Sequence, residues 1–404
     1  MSDLGVCCDG TWQDAIAGSN VIRLFERLDL PAGRKQYLAG VGTGGVVDHV
    51  RGGLAGWGID GDLREGYRFL VEAFRPGDRI ALFGFSRGAY LARSLAGMVG
   101  AVGIVDREGV DDATLDTAVA QAYRRYETHK VEKRAGRTPR VPAEHRWPPL
   151  AYDPRSATVP VSFVGVWDTV GALGIPTYLG IPDVLRSRHR YEFLDVVLDR
   201  RVPHARHAVS LDEMRGPFRP TLWDEAAADP DQDIDQVWFP GDHCDVGGGH
   251  GDDDRLSDGA LAWMIEEAQK AGLPFVGPPL AGDPVNGTLH GMPHGLLGAA
   301  AETVMAPRPR ATPPVETDRP RPDVHDSAYT RQQATAPEPP DLQYRPTRRL
   351  RTGANTQVRV AADRSWNATG LYLEPGTYLF TAAGDWGAAR GRRARRCRPL
   401  AGGR

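Results

Sequence analysis

The run RIALFGF at residues 79–85, followed at once by SRGAYLAR, constrains the fold more than any other stretch. Apart from Arg79 it is apolar throughout, and Pro76 and Gly77 just before it break any helix. A short apolar run so bounded reads as a strand buried on both faces, and such strands belong to parallel sheets covered by helices on either side. After Ser86 the period changes. Ala89, Ala92, Leu95 and Val99 recur at three- and four-residue steps, the inner face of a helix. Before the run, Ile59, Leu63, Tyr67, Leu70, Val71 and Phe74 repeat the pattern, in a helix that leads out of the glycine-rich stretch 42–61 and stops at RPGD. Helix, strand, sharp turn and helix in succession are the rhythm of an α/β domain.

Other short apolar runs supply the rest of a mostly parallel sheet flanked by helices. DLGVCC at 3–8 ends at Asp9 and Gly10, and QYLAG follows near residue 36. VPVSFVGVW ends at Asp168, and QVWFPG ends just before His243. Each leaves a polar residue beyond a strand end, where open α/β sheets place their sites. Residues 111–135 read as a charged helix, 136–160 as a proline-punctuated insertion, and 257–271 as a helix with Ser257 as its cap. From Pro307 to about residue 350 the chain is rich in proline and arginine and reads as an irregular surface segment. QVRVAADRSWNATGLYLEPGTYLFTAAGDW then shows the alternation of three short strands, a small β unit over 351–386. The arginine-rich end, 387–404, is expected to be disordered.

A composition 41% hydrophobic and 25% charged is that of a globular chain, and a net charge of -3 gives no general attraction to nucleic acid or anionic lipid. No nucleic-acid partner is expected, and any peripheral membrane contact has to be local. The first residues have neither a basic nor a long apolar signal region, which predicts a cytoplasmic protein, exported if at all by a signal-independent route. Cys7, Cys8, Cys244 and Cys397 lack metal-ligand spacing and read as buried small hydrophobes.

GFSRG at 84–88 fits a nucleophile elbow, the strand-to-helix turn in which flanking glycines avoid backbone clashes around an exposed serine. With 48 glycines in the chain, such a pattern arises by chance in about one such sequence in seven, so its position between strand and helix carries the weight. A serine needs a base, and the base needs an orienting acid. Asp168 and His243 follow Ser86 in the order expected of an α/β hydrolase and sit at strand ends. His204, His207 and His250 compete as bases, and Asp245 competes as the acid; Asp168 ranks first because it has a strand end of its own. For an oxyanion hole, the backbone N–H of Arg87 is one donor and that of Gly10 or Thr11 the other. Asp9 is expected to hold its turn through its own side chain.

VCCDGTWQD at 6–14, NVIRL at 20–24, YLAGVGTG at 37–44, GDRIALFGFSRGAYLARSLAGMVG at 77–100, VGVWDTVGALG at 164–174, HAVSLDEMRGPFRP at 207–220 and VWFPGDHCDVGGGH at 237–250 closely resemble one family. It is the DUF2235 family of α/β-hydrolase-like proteins, which includes phospholipase effectors of bacterial type VI secretion. VHDSAYTR at 324–331 and LQYRPTRRL at 342–350 look like its closing motifs, so the resemblance extends the catalytic domain over 1–350 and puts much of the proline-rich segment on its surface. It implies a Ser-Asp-His triad on Ser86, Asp168 and His243, hydrolysis of acyl esters with phospholipids as substrates, and no metal or organic cofactor. An acyltransferase of the same fold is the alternative enzyme. The 351–386 stretch resembles a fragment of a PA-I type galactose-binding lectin, so a non-catalytic carbohydrate-binding protein is the alternative outside enzymes. A fragment so short implies truncation or a frameshift after about Trp386.

Overall fold

The computed structural model describes residues 2–10, 18–40, 57–137, 148–171, 197–291, 309–318, 320–334 and 348–351, with short stretches from 353 to 396. In chain order the strands are β1 (Asp3–Cys8), β2 (Lys35–Leu38), β3 (Arg79–Phe85), a small antiparallel pair β4 (Ile104–Val105) and β5 (Leu150–Tyr152), then β6 (Val161–Trp167), β7 (His204–Ser210) and β8 (Asp233–Phe239). Six of them form one sheet in the order β2-β1-β3-β6-β7-β8, parallel at every pairing. The chain adds β2 on one side of β1 and β3 on the other. That reversal opens a crevice outside the carboxyl ends of the strands, the usual position of sites in such sheets.

The central run of the sequence is the central strand: β3 pairs with β1 from Asp3↔Arg79 onward and with β6 through Phe85↔Trp167. Its side chains alternate between two cores. Ile80 and Leu82 pack with helices Trp57–Ala73, Arg87–Val102 and Asp112–Arg134. Ala81, Phe83 and Phe85 pack on the other face with helices Asn20–Arg27 and Arg255–Lys270. Cys8 joins the first core and Cys7 the second, as alternation requires, and both are fully buried, while Cys244 is only partly so; Cys397 lies outside the described residues. Leu63, Tyr67, Leu70, Val71 and Phe74 are buried as their spacing predicts; the side chain of Ile59 is not among those described.

Several expectations need correction. The helix expected from Ser257 starts at Arg255 after Asp254, and Ser257 is buried in its first turn with its hydroxyl on the Asp254 carbonyl. β7 has no counterpart among the apolar runs picked out above, because Arg206 and His207 interrupt its pattern. Both are buried and partnered: Arg206 binds Glu267 and Asp233, and His207 lies between the Thr169 N–H and Gln236. The segment from 309 to 334 is not merely superficial. Val315, Val324, Ala328 and Tyr329 form a third core with Val209, Leu211 and Trp238. Near the C-terminus, Leu371–Leu373 pairs in parallel with Arg348–Leu350, and Asp385–Trp386 pairs with Arg395–Arg396, two residues of the stretch expected to be disordered.

Candidate active site

Ser86 follows β3 directly and stands at the N-cap of the helix Arg87–Val102, with φ 57° and ψ -118°. A non-glycine residue there is strained, and the turn is tight enough to require the glycines on both sides. A Cβ on Gly84 would strike the backbone of Gly88, and one on Gly88 would strike the carbonyl oxygens of Cys8 and Asp9. The serine is 8% exposed, and its N–H donates to the Trp167 carbonyl at 3.1 Å. That bond ties it to the end of the neighbouring strand.

The next residue on that strand, Asp168, has φ 37°; it and Ser86 are the two non-glycine residues of positive φ among the described residues. Its N–H donates to the Ala208 carbonyl at 2.7 Å, and its Oδ1 accepts from the Ser210 N–H at 3.0 Å. Oδ2 stands 2.6 Å from His243 Nδ1. Arg310 grips both carboxylate oxygens, at 2.6 and 2.8 Å, from a side chain only 2% exposed. Burial alone would raise the Asp168 carboxyl, but Arg310 and His243 hold it well below the usual carboxylate range. An ionised carboxylate only accepts, so His243 Nδ1 is the donor in this bond.

His243 opens the short helix His243–Gly247. Asp242 caps it, accepting from the N–H groups of Cys244 and Asp245, while Asp245 returns a bond to the Asp242 N–H. The His243 N–H donates to Glu213 at 3.3 Å. Its ring lies between Phe85, with centroids 4.5 Å apart, and Phe218, edge-on at 4.9 Å. Phe85 precedes the serine, so the same packing brings the histidine to the elbow. No hydrogen bond joins Ser86 to His243 among the described residues; such bonds commonly tighten only when substrate is bound.

The competitors have other roles. His207 is wholly buried, and burial pushes its imidazole down to about 3, so it stays neutral. His204 faces Asp233 at 3.4 Å. Asp245 faces His290 and His250 rather than His243. Asp9 does hold its turn, accepting from Ser19 at 2.5 Å and Tyr37 at 2.7 Å. It also takes the Gly10 N–H at 2.7 Å, which engages one expected oxyanion donor; Thr11 lies outside the described residues. The Arg87 N–H, at the first position of its helix, has no acceptor within it. Arg310 was missed, because an arginine among the prolines of 307–314, with Arg308 two positions before it, carries no signal of a buried partner.

A wholly parallel sheet with helices on both faces, its strained serine and its Asp-His pair at successive strand ends, puts the protein in the α/β-hydrolase-like class. Within it, residues 3–267 match the family described as T6SS, Phospholipase effector Tle1-like, catalytic domain, and the chain belongs to that family. An uncharacterized Saccharomyces cerevisiae protein, YEL023C, is 30% identical over 239 residues, 53% of this chain and 31% of its own length. The chain thus spans about a third of that relative. An uncharacterized Pseudomonas aeruginosa protein of known structure is 18% identical, covering 68% of this chain and 46% of its own, at a TM-score of 0.35. The Tle1 effector bound to the VgrG spike of the type 6 secretion system is 20% identical over 62% of this chain and 51% of its own, at a TM-score of 0.27. Among the described residues no helix is long and apolar enough to cross a membrane.

Proposed function

We propose that the protein is a serine hydrolase of acyl esters, with phospholipids as its substrate class. The observation that carries this reading is the pair of strained residues, Ser86 and Asp168, at the ends of adjacent strands, with Asp168 bonded to His243 at 2.6 Å. Family membership supports the lipid substrate. His243 Nε2 takes the Ser86 proton as Oγ attacks the acyl carbonyl, and Asp168 stabilises the imidazolium that forms. The Arg87 N–H and the N-terminal end of its helix face the developing oxyanion; the second donor is Thr11, or Gly10 once it leaves Asp9. The imidazolium then protonates the departing alcohol, and a water activated by the same histidine releases the acyl group from Ser86.

The test is fluorophosphonate labelling together with turnover of a glycerophospholipid panel, comparing wild type with Ser86→Ala. Labelling and turnover by wild type alone are expected. A folded wild type without serine labelling overturns the enzyme reading, and equal turnover by both proteins moves the nucleophile elsewhere.

A further inference from the structure

Beside the short helix that carries His243, two imidazoles and one buried carboxylate converge on a point that the proposed ester chemistry does not use. The ligand-capable atoms of Asp245, His250 and His290 all lie within 4.8 Å of one another. His290 Nδ1 is 2.5 Å, and His250 Nε2 3.6 Å, from the same oxygen, Asp245 Oδ1. The two rings stack at 3.7 Å with a 20° interplanar angle. The Asp245 side chain is fully buried, and its Oδ2 is occupied by the N–H groups of Asp242 at 2.9 Å and His290 at 3.0 Å. Oδ1 alone is therefore presented to the imidazoles.

The surroundings match what a bound cation needs. His290 Nε2 faces Asp252 at 3.2 Å, the carboxylate-histidine arrangement that fixes a ligating imidazole with its other nitrogen toward the metal. Asp242 Oδ1 stands 2.9 Å from His250 Nε2, so a further carboxylate borders the point. Three carboxylates around two imidazoles leave an excess of negative charge that a divalent ion neutralises. Donors about 2.0–2.2 Å from zinc stand roughly 3.3 Å from one another. Pairs at 2.5 and 3.6 Å reach that spacing with shifts under about 1 Å.

We infer that Asp245 Oδ1, His250 Nε2 and His290 Nδ1 form a binding site for a divalent transition-metal ion, Zn²⁺ being the best match to two imidazoles and a carboxylate. The family resemblance implies no metal, and ligands at 245, 250 and 290 fall outside the short spacings of familiar zinc motifs. The site is one of position rather than of reaction. Asp242 and Asp245 form the capping box of the helix that begins at His243, and Thr288 N–H already bonds Asp253 at 2.8 Å. A bound ion ties the loops at 250–253 and 283–290 to that helix and so fixes the base.

The test reads binding and needs no activity, so it stands or falls separately from the ester reading. The full chain is stripped with chelator, titrated with Zn²⁺ by calorimetry, and assayed for metal content after gel filtration. One tightly held equivalent is expected. His290→Ala should weaken it at least about 100-fold, and Asp252→Asn, at an exposed carboxylate that does not touch the ion, about 10-fold. Zn²⁺ should also raise the melting temperature of wild type but not of His290→Ala. Wild type that binds no more zinc than a folded His250→Ala/His290→Ala protein overturns the site. So does an affinity unchanged by Asp252→Asn, which keeps the proposal open to refutation even where the alanine variants fail to fold.

Discussion

Replacing Arg310 by methionine removes the cation that grips Asp168 in its buried site. The guanidinium donates to both Asp168 oxygens and to the carbonyls of Ser210 and Phe218, from a side chain 2% exposed onto a carboxylate that is wholly buried. Methionine fills similar volume and removes the charge, leaving Asp168 with His243 and the Ser210 N–H. Breaking a buried pair from one side costs about 3–5 kcal/mol. The loss should depend on pH in a definite direction. In wild type the Asp168 carboxyl is depressed, so its contribution is complete above the unfolded value of about 3.9 and fades as pH falls toward the folded one. In Arg310→Met, burial is the dominant influence and lifts the Asp168 carboxyl above its unfolded value of about 3.9, so the folded carboxyl keeps a proton that the unfolded one releases. Stability of the variant then falls as pH rises from about 4, by up to about 1.4 kcal/mol per unit for one proton. Urea unfolding at several pH values measures both curves. The gap should be widest near pH 7 and narrow toward pH 4.5. A gap below about 1 kcal/mol at pH 7, or one that is the same at both ends, refutes the reasoning.

Two further substitutions test the local physics. Ser86→Gly and Ser86→Ala both remove the hydroxyl, but only glycine relaxes φ 57°, so the glycine variant should be the more stable by about 1 kcal/mol after the entropy it adds to the unfolded chain. Equal melting temperatures, or a more stable alanine variant, would contradict strain at the elbow. His207→Gln should flatten the acid limb of stability. The buried imidazole is held neutral with its pKa lowered to about 3, so folding loses up to about 1.4 kcal/mol per unit as pH falls from about 6.5 toward 3, and glutamine has no proton to take up. Parallel wild-type and variant curves across that window would show that His207 does not titrate on unfolding.

What could be read from the sequence follows from where apolar pattern and local function coincide. β3 after Arg79, and β6 apart from Ser162, are apolar runs, so strand, turn and the polar residue beyond it are visible together, and Ser86 and Asp168 come with them. β7 is as central, lying between β6 and β8, yet its pattern is broken by Arg206 and His207. Those residues are tolerated inside because Glu267, Asp233, Gln236 and the Thr169 N–H satisfy them, and such partners lie up to 61 positions away in sequence. Arg310 is hidden for the same reason, 142 positions from the carboxylate it grips. The helix Asn20–Arg27, with Ser19 as its cap, is only eight residues long, too short for periodicity to mark without its tertiary contacts.

Backbone strain explains why the site lies where it does. Ser86 and Asp168 both leave their strands in conformations that L-residues avoid, and they do so on neighbouring strands whose last registered pair is Phe85↔Trp167. Each distortion is fixed by the sheet rather than by its own residue. The Ser86 N–H is held by the Trp167 carbonyl, and the Asp168 N–H by the Ala208 carbonyl on the strand beyond, so each strand end clamps the turn of the one before it. A parallel sheet buried on both faces is the element rigid enough to hold such geometry, at about 1–3 kcal/mol for each strained residue. Relaxing either turn would swing a hydroxyl or a carboxylate away from the histidine held against Phe85. The strain is therefore the means by which Ser86 and Asp168, 82 positions apart in sequence, are held at adjacent strand ends, where Asp168 bonds the His243 ring that packs on Phe85.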